Sequence, residues 1–110
     1  MSEVKTTATG DKGLYAGLMR LHVLQEAKQG KICGAWVTDQ LRNRGYEISP
    51  GTLYPMLHGL EQKGYLSSHK ERVRKTMRRI YVITSRGEAV LEEAKGKVQE
   101  LFGDLFETPK

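Results

Sequence analysis

The chain contains one pair of neighbouring extended segments, and their place among helical patterns restricts the folds open to it. Residues 65–73 and 78–84 are rich in types that favour strands, and the second segment puts Tyr81 and Ile83 on one face and Ile80 on the other. The polar, basic stretch between them predicts the tip of a hairpin. Elsewhere the apolar residues recur at three- and four-residue spacing, which indicates helices. The sequence therefore predicts a mainly α protein with a small β-hairpin.

The N-terminal third is expected to hold a leader and a two-sided helix. Residues 1–12 are polar and small and predict a disordered leader. From Leu14 onward there are two apolar stripes, formed by Leu14, Leu18 and Leu21 and by Tyr15, Met19 and Val23. Two stripes require burial on two sides. One side is expected to meet the core and the other a second subunit.

Two shorter helices are expected next. The first follows the break at Gly30 and Gly34 and ends at Gly45, a residue suited to a C-terminal cap. The second ends at Gly64, and its start has two readings. Either Ser49 caps a helix that contains Pro55 as a kink, or the chain turns first and Thr52 is the cap. Both readings bury one stripe, made of Leu53, Leu57 and Leu60.

A final long helix is expected after a cap at Thr84-Ser85. The element order is then that of a winged helix-turn-helix domain at 13–84 with a dimerisation helix at 85–107. Apolar residues repeat along the last helix at the spacing of a helix that packs along another. The expected dimer surface consists of Leu14, Leu18, Val90, Leu91, Ala94, Val98, Leu101, Phe102 and Leu105.

Positive charge is concentrated in the predicted hairpin, or wing. The formal net charge is +5, and residues 70–79 contain six basic side chains and one acid. Such a wing can bind the phosphate backbone of double-stranded DNA, with release of condensed counterions. The predicted DNA contacts of the wing are Lys70, Arg72, Arg74, Lys75, Arg78 and Arg79.

The third helix is the predicted recognition helix, because a helix-turn-helix protein presents the start of its second motif helix to the major groove. With its leucines buried, the opposite surface carries hydroxyls suited to phosphates or base edges. The predicted contacts are Ser49, Thr52, Tyr54, Pro55 and His58.

Other functions find little support. A single cysteine, Cys33, excludes an internal disulfide, and the three histidines fall on separate elements without the spacing of a metal site or a triad. We expect no enzyme activity, no metal and no cofactor, with Cys33 and Trp36 serving packing. No apolar run is long enough to span a membrane, and no secretory signal is evident, so a cytoplasmic protein is expected.

Two motifs resemble a known family. The first is Gly51-Thr52-Leu53-Tyr54-Pro55, continued by Leu57, Leu60, Glu61, Gly64 and Tyr65-Leu66; the second is the run 78–84, RRIYVIT, followed by Gly87 and Leu91. Both are similar to the signature of the PadR-like bacterial transcription regulators, in the right order and at the right separation. The resemblance extends from Leu14 to Phe106 and is to the branch with a short C-terminal helix. Ile80 departs from it, because an aromatic residue is common there.

The resemblance implies a dimeric winged-helix regulator, usually a repressor, which in some members a small effector releases from DNA. It places Thr52 and Tyr54 in the recognition helix, Arg78 at the base of the wing and Tyr81 in the core below. The resulting expectation is a homodimer that binds a palindromic operator. The alternative is a winged-helix adaptor that binds proteins and not DNA.

Overall fold

The computed structural model describes residues 11–107. Four helices and a two-stranded antiparallel hairpin follow one another in the expected order. The elements are α1 (Lys12–Gln29), α2 (Gly34–Asn43), α3 (Pro50–Gln62), β1 (Leu66–Val73), β2 (Thr76–Ile83) and α4 (Ser85–Phe106). The expected fold class is therefore confirmed.

Helix α1 begins earlier than expected. The Asp11 carboxylate accepts a hydrogen bond from the backbone N–H of Leu14 at 3.0 Å, which caps the helix and lets it start at Lys12. The predicted leader, residues 1–12, therefore extends too far, because Asp11 was not recognised as a cap and Lys12 is already helical. The rest of the leader, residues 1–10, lies outside the described part of the chain. The buried face of α1 carries Met19, Val23, Leu24 and Ala27.

Helix α3 begins at Pro50 and contains Pro55, so the alternative start with a cap at Thr52 is wrong. The Ser49 carbonyl accepts hydrogen bonds from the backbone N–H groups of Thr52 and Leu53, at 3.0 and 2.9 Å. Ser49 has the extended backbone of a capping residue, but its hydroxyl caps no N–H group. Buried leucines hold the helix in spite of the hydrogen bond that Pro55 removes.

The hairpin has a shorter tip than the sequence predicts. β1 and β2 pair from Leu66 opposite Ile83 to Val73 opposite Thr76, so the turn consists of Arg74 and Lys75 alone. Arg74 adopts a left-handed conformation with φ 61°. The other four predicted wing cations lie on the strands. Ile32 adds a bridge to Tyr81 at the inner end of β2.

One core joins α1, α2, α3 and the base of the hairpin. Tyr81 lies within it, as expected, at 5% exposure. Leu91 of α4 also belongs to this core, at 4% exposure, so the structure differs here from the expectation of a dimer contact. The first turns of α4 pack on the protomer's own domain, and this packing buries Leu91 there. Gly87 makes this close approach possible, since a Cβ at that position would overlap the Tyr65 carbonyl oxygen.

Candidate nucleic-acid interface

The outer face of α3 is accessible over its first two turns. Ser49, Tyr54, Pro55 and His58 are exposed and Thr52 is half-buried. On the opposite face, Leu53 and Leu57 are fully buried and fix the rotation of the helix about its axis. Four of the five residues predicted for recognition therefore lie on a helix that the core holds in place, and Ser49 directly precedes it. Thr52 and Pro55 border the side that faces α1, whereas Tyr54 faces α2 and the wing.

Tyr54 is supported by the start of α2. A Cβ at Gly34 would lie 2.6 Å from the Tyr54 hydroxyl oxygen and Cε1, so the phenol ring packs directly on the backbone at Gly34. Half of the Tyr54 side chain remains exposed. The ring is thus held against the N-terminal end of a helix, where backbone N–H groups favour an anion. Sequence reasoning selected Tyr54 but missed Gly34, although a glycine at a helix start is a signal of close approach.

The register of the hairpin separates the wing cations into two faces. Lys70, Arg72 and Arg79 share the face that carries Tyr81 in the core, because Lys70 pairs with Arg79 and Arg72 pairs with Met77. Arg78 lies on the other face, opposite Glu71. All six predicted wing cations are exposed. The outer half of one face of the wing therefore carries three cations together with the exposed Met77.

The single acid of the wing is neutralised locally. Glu71 accepts a hydrogen bond from the Lys31 ammonium at 3.0 Å and contacts the His69 ring nitrogen at 2.6 Å. The hydrogen bond with His69, followed by that with Lys31, lowers the pKa of the Glu71 carboxyl. Lys31 precedes α2 and was not identified from sequence, since forty positions separate it from Glu71. The charge of Glu71 is thus paired with Lys31 and not with a wing cation. The same contact links β1 to the segment before α2.

A second network joins the recognition helix to the wing. Arg79 donates to the Ser68 hydroxyl at 3.0 Å, and Ser68 donates to the Glu61 carboxylate at 2.7 Å. Glu61 lies on α3, while Ser68 and Arg79 lie on β1 and β2. The network fixes the angle between helix and hairpin. Sequence reasoning missed Ser68, because only the strand register brings it to Arg79.

A cleft separates the start of α2 from the wing. Its volume is about 240 Å³, and its walls include Gly34 and Tyr54 on one side and Met77, Arg78 and Arg79 on the other. Cys33 also borders it and is partly buried. The walls of the cleft thus combine the Tyr54 ring of α3 with two basic residues of β2.

An apolar surface lies on α1 and α4. Helix α4 buries only Gly87 and Leu91, and its large apolar side chains from Val98 onward are exposed. Between the two helices is a groove of about 490 Å³ whose walls include Leu18, Leu21, Ala94 and Val98. The exposed members of this surface are Leu14, Leu18, Val98, Leu101, Phe102, Leu105 and Phe106, at 41–70% exposure.

His22 lies at the edge of that groove and contacts the turn after α2. Its ring packs edge-on against Tyr46, with 5.4 Å between centroids. Burial, and then the positive charge of Arg44, lower the pKa of His22; Glu26 opposes this shift. Arg44 and Glu26 form a salt bridge of 3.0 Å.

Comparison with known proteins decides the class. A model described as the transcriptional regulator PadR-like family matches residues 21–93. The chain belongs to the PadR-like family. It is 45% identical over 88 residues to the transcriptional regulator Rv3488 of Mycobacterium tuberculosis, covering 80% of this chain and 82% of the relative.

Solved structures agree with this membership. A PadR family transcriptional regulator from Eggerthella lenta shares 28% identity and a TM-score of 0.76, with 96% of this chain and 94% of that one covered. A PadR-like regulator from Bacillus cereus, at 22% identity, shows the same fold with a TM-score of 0.75 over 88% and 99% of the two chains. This PadR-like chain is a DNA-binding transcriptional regulator with a winged-helix fold. The family expectation from the two sequence motifs is confirmed.

Within residues 11–107, no three or more His, Cys, Asp or Glu side chains are grouped so that they could hold a metal ion. In the same range, no helix is both long enough and apolar enough to cross a membrane.

Proposed function

We propose that this PadR-like chain is a homodimeric repressor that binds a palindromic operator through α3 and the wing and is released by a small effector. The observation that carries the proposal is the arrangement of two separate surfaces. The outer face of α3 and the basic wing form one, and the apolar side chains of α1 and α4 form the other. The first suits a polyanion and the second suits another protein chain.

The dimer is supported by the length of unpartnered helix. From Val98 to the end of α4, the apolar side chains have no cover within the protomer, and Leu105 and Phe106 are 65% and 70% exposed. An amphipathic helix of this kind is stable when its apolar side is buried. A second copy of the same surface would supply that burial, with Leu14 and Leu18 of α1 contributing.

The operator symmetry follows from the dimer. Twofold symmetry would present two α3 helices to successive major grooves, roughly 34 Å apart, one turn of duplex DNA. Occupancy of such a site within a promoter would block transcription.

The dependence of affinity on salt tests the DNA surface. We expect the wild-type protein to lose affinity for a mixed-sequence duplex steeply as salt rises, and the triple variant Arg74→Ala, Lys75→Ala, Arg78→Ala to show a flatter slope, by about one unit per lost phosphate contact. A matched control, Lys28→Ala, Arg86→Ala, Lys97→Ala, removes the same charge from α1 and α4 and should keep the wild-type slope. Equal slopes for both triple variants would exclude the wing as a DNA contact and favour a protein-binding adaptor.

A further inference from the structure

A second groove lies beside the α1–α4 groove, between α1 and the recognition helix α3. Its volume is about 430 Å³, within the range of small-molecule sites. Apolar side chains form most of its walls, with Leu21 and Leu24 on α1 and Met56 and Leu60 on α3. It adjoins the α1–α4 groove assigned to the dimer: Leu21 borders both grooves, and Val90 of α4 borders this one.

Two glycines keep this groove open. Gly17 of α1 and Gly59 of α3 both border it, and a Cβ added at either position would meet no atom within 4 Å. A glycine inside a helix costs about 0.8–1.0 kcal/mol relative to alanine. Packing among the described residues does not demand either glycine. The open space therefore suits an occupant from outside the domain.

The charged side chains around the groove share one sign. Arg20 and Lys63 border it, and no acidic side chain does. Within residues 11–107, no carboxylate forms a salt bridge with either cation. An apolar floor below two cations is complementary to a molecule with an apolar body and an anionic head.

We propose that the α1–α3 groove binds a small aliphatic carboxylate, with its chain along Gly17 and Gly59 and its carboxylate at Arg20 and Lys63. The regulatory part rests on the proposed function. The wall formed by α3 includes Pro55, a predicted DNA contact, so an occupant between α1 and α3 lies directly beside the surface proposed for DNA. The groove is then the site of the effector that weakens operator binding.

Direct binding without DNA tests the site. Octanoate, added to the full-length protein and followed by titration calorimetry, is the probe, and 1-octanol is the uncharged comparison. Wild-type protein should bind octanoate at least tenfold more tightly than 1-octanol. Arg20→Gln should reduce this preference tenfold, because it removes the charge and keeps a polar, unbranched side chain.

A groove-filling variant locates the binding. Gly59→Leu places a side chain in the space and favours the helix, so we expect a folded protein with at least tenfold weaker octanoate binding. Gly96→Leu is the matched control, since Gly96 is an exposed helical glycine whose added Cβ also meets nothing. It should bind as the wild type does.

Three results would overturn the site. Octanoate could fail to bind the wild type, Gly59→Leu could bind it unchanged, or Gly59→Leu could lower the molar mass in solution, which would show that a second copy fills the groove. A DNA titration separates the two proposals. Octanoate binding that leaves duplex affinity unaltered removes the regulatory role and keeps the site. A protein without any duplex affinity refutes the proposed function. The calorimetry, which needs no DNA, still tests whether the groove binds octanoate.

Discussion

The Tyr54 ring packs on the backbone of Gly34, so closely that a methyl group at position 34 would lie 2.6 Å from the phenol. Tyr54 belongs to the recognition helix, and Gly34 begins the preceding helix. The contact joins the two helices of the helix-turn-helix motif at the surface proposed for DNA. It also fixes where the phenol hydroxyl is presented.

Gly34→Ala should therefore weaken DNA binding while the protein stays folded. The added methyl group displaces the Tyr54 ring, which can rotate toward solvent because half of it is already exposed. We expect about a tenfold loss of duplex affinity, equivalent to roughly 1.4 kcal/mol, in a fluorescence anisotropy titration. Gly96→Ala is the control and should bind as the wild type does. Unchanged affinity in Gly34→Ala would show that the position of Tyr54 is irrelevant to binding.

Gly87→Ala should destabilise the fold itself. The Cβ at this position would overlap the Tyr65 carbonyl oxygen, a backbone atom that no rotamer change can move. We expect a loss of about 2–4 kcal/mol in the free energy of unfolding, measured by urea denaturation. Gly96→Ala, again the matched change, should be neutral or stabilise the protein by up to about 1 kcal/mol. Equal midpoints for the two variants would contradict the packing of α4 described above.

His22 should make stability depend on pH. Its pKa in the folded protein is below the ordinary value of 6.5, because of burial and then Arg44, with Glu26 opposing. The unfolded chain therefore binds more protons than the folded one as pH falls through about 6.5, and stability declines there. Tyr46, which packs against the His22 ring, has a pKa that burial raises above its ordinary value, so it stays neutral in this range. His22→Gln should flatten the decline in the unfolding midpoint between about pH 7 and 5, and an unchanged slope would assign it to other groups.

The sequence predicted the elements better than their ends. The apolar spacing of Met19 and Val23, and the alternation around Tyr81, reflect burial in the core, which decides the class of each element. The start of α1 depended on the side chain of Asp11, and the start of α3 on buried leucines that outweigh Pro55. Such competition between local rules and packing is not visible in a pattern.

The candidate site shows the same division. Basic and hydroxyl side chains can be recognised from their type, and the residues chosen on α3 and the wing are accessible. The residues that hold them in place, Ser68 and Lys31, cannot be recognised in this way. Their hydrogen bonds to Arg79 and Glu71 exist only because the fold brings these residues together. Leu91 was predicted as a dimer contact but is buried in the core of its own protomer. The apolar stripe of α4 packs on that core at the start of the helix and is exposed from Val98 onward.

Placing a charge on the exposed part of α4 should separate the dimer. Leu101 is 49% exposed in the protomer, so Leu101→Asp leaves the core intact and places a carboxylate in the proposed contact. We expect monomers in light scattering and at least a tenfold loss of duplex affinity. Glu100→Asp, a neighbouring change that keeps the charge, is the control and should remain dimeric. A dimeric Leu101→Asp variant would place the interface elsewhere.

The molar mass of the wild-type protein in solution tests the central claim most directly. The chain has a mass of 12.4 kDa, and light scattering at micromolar concentration should give twice that mass for the free protein. In the complex, the mass of protein bound to each palindromic duplex should also be that of two chains. A particle with the mass of one chain would contradict the account, because the apolar side of α4 would then remain uncovered and a single recognition helix could not require a palindrome.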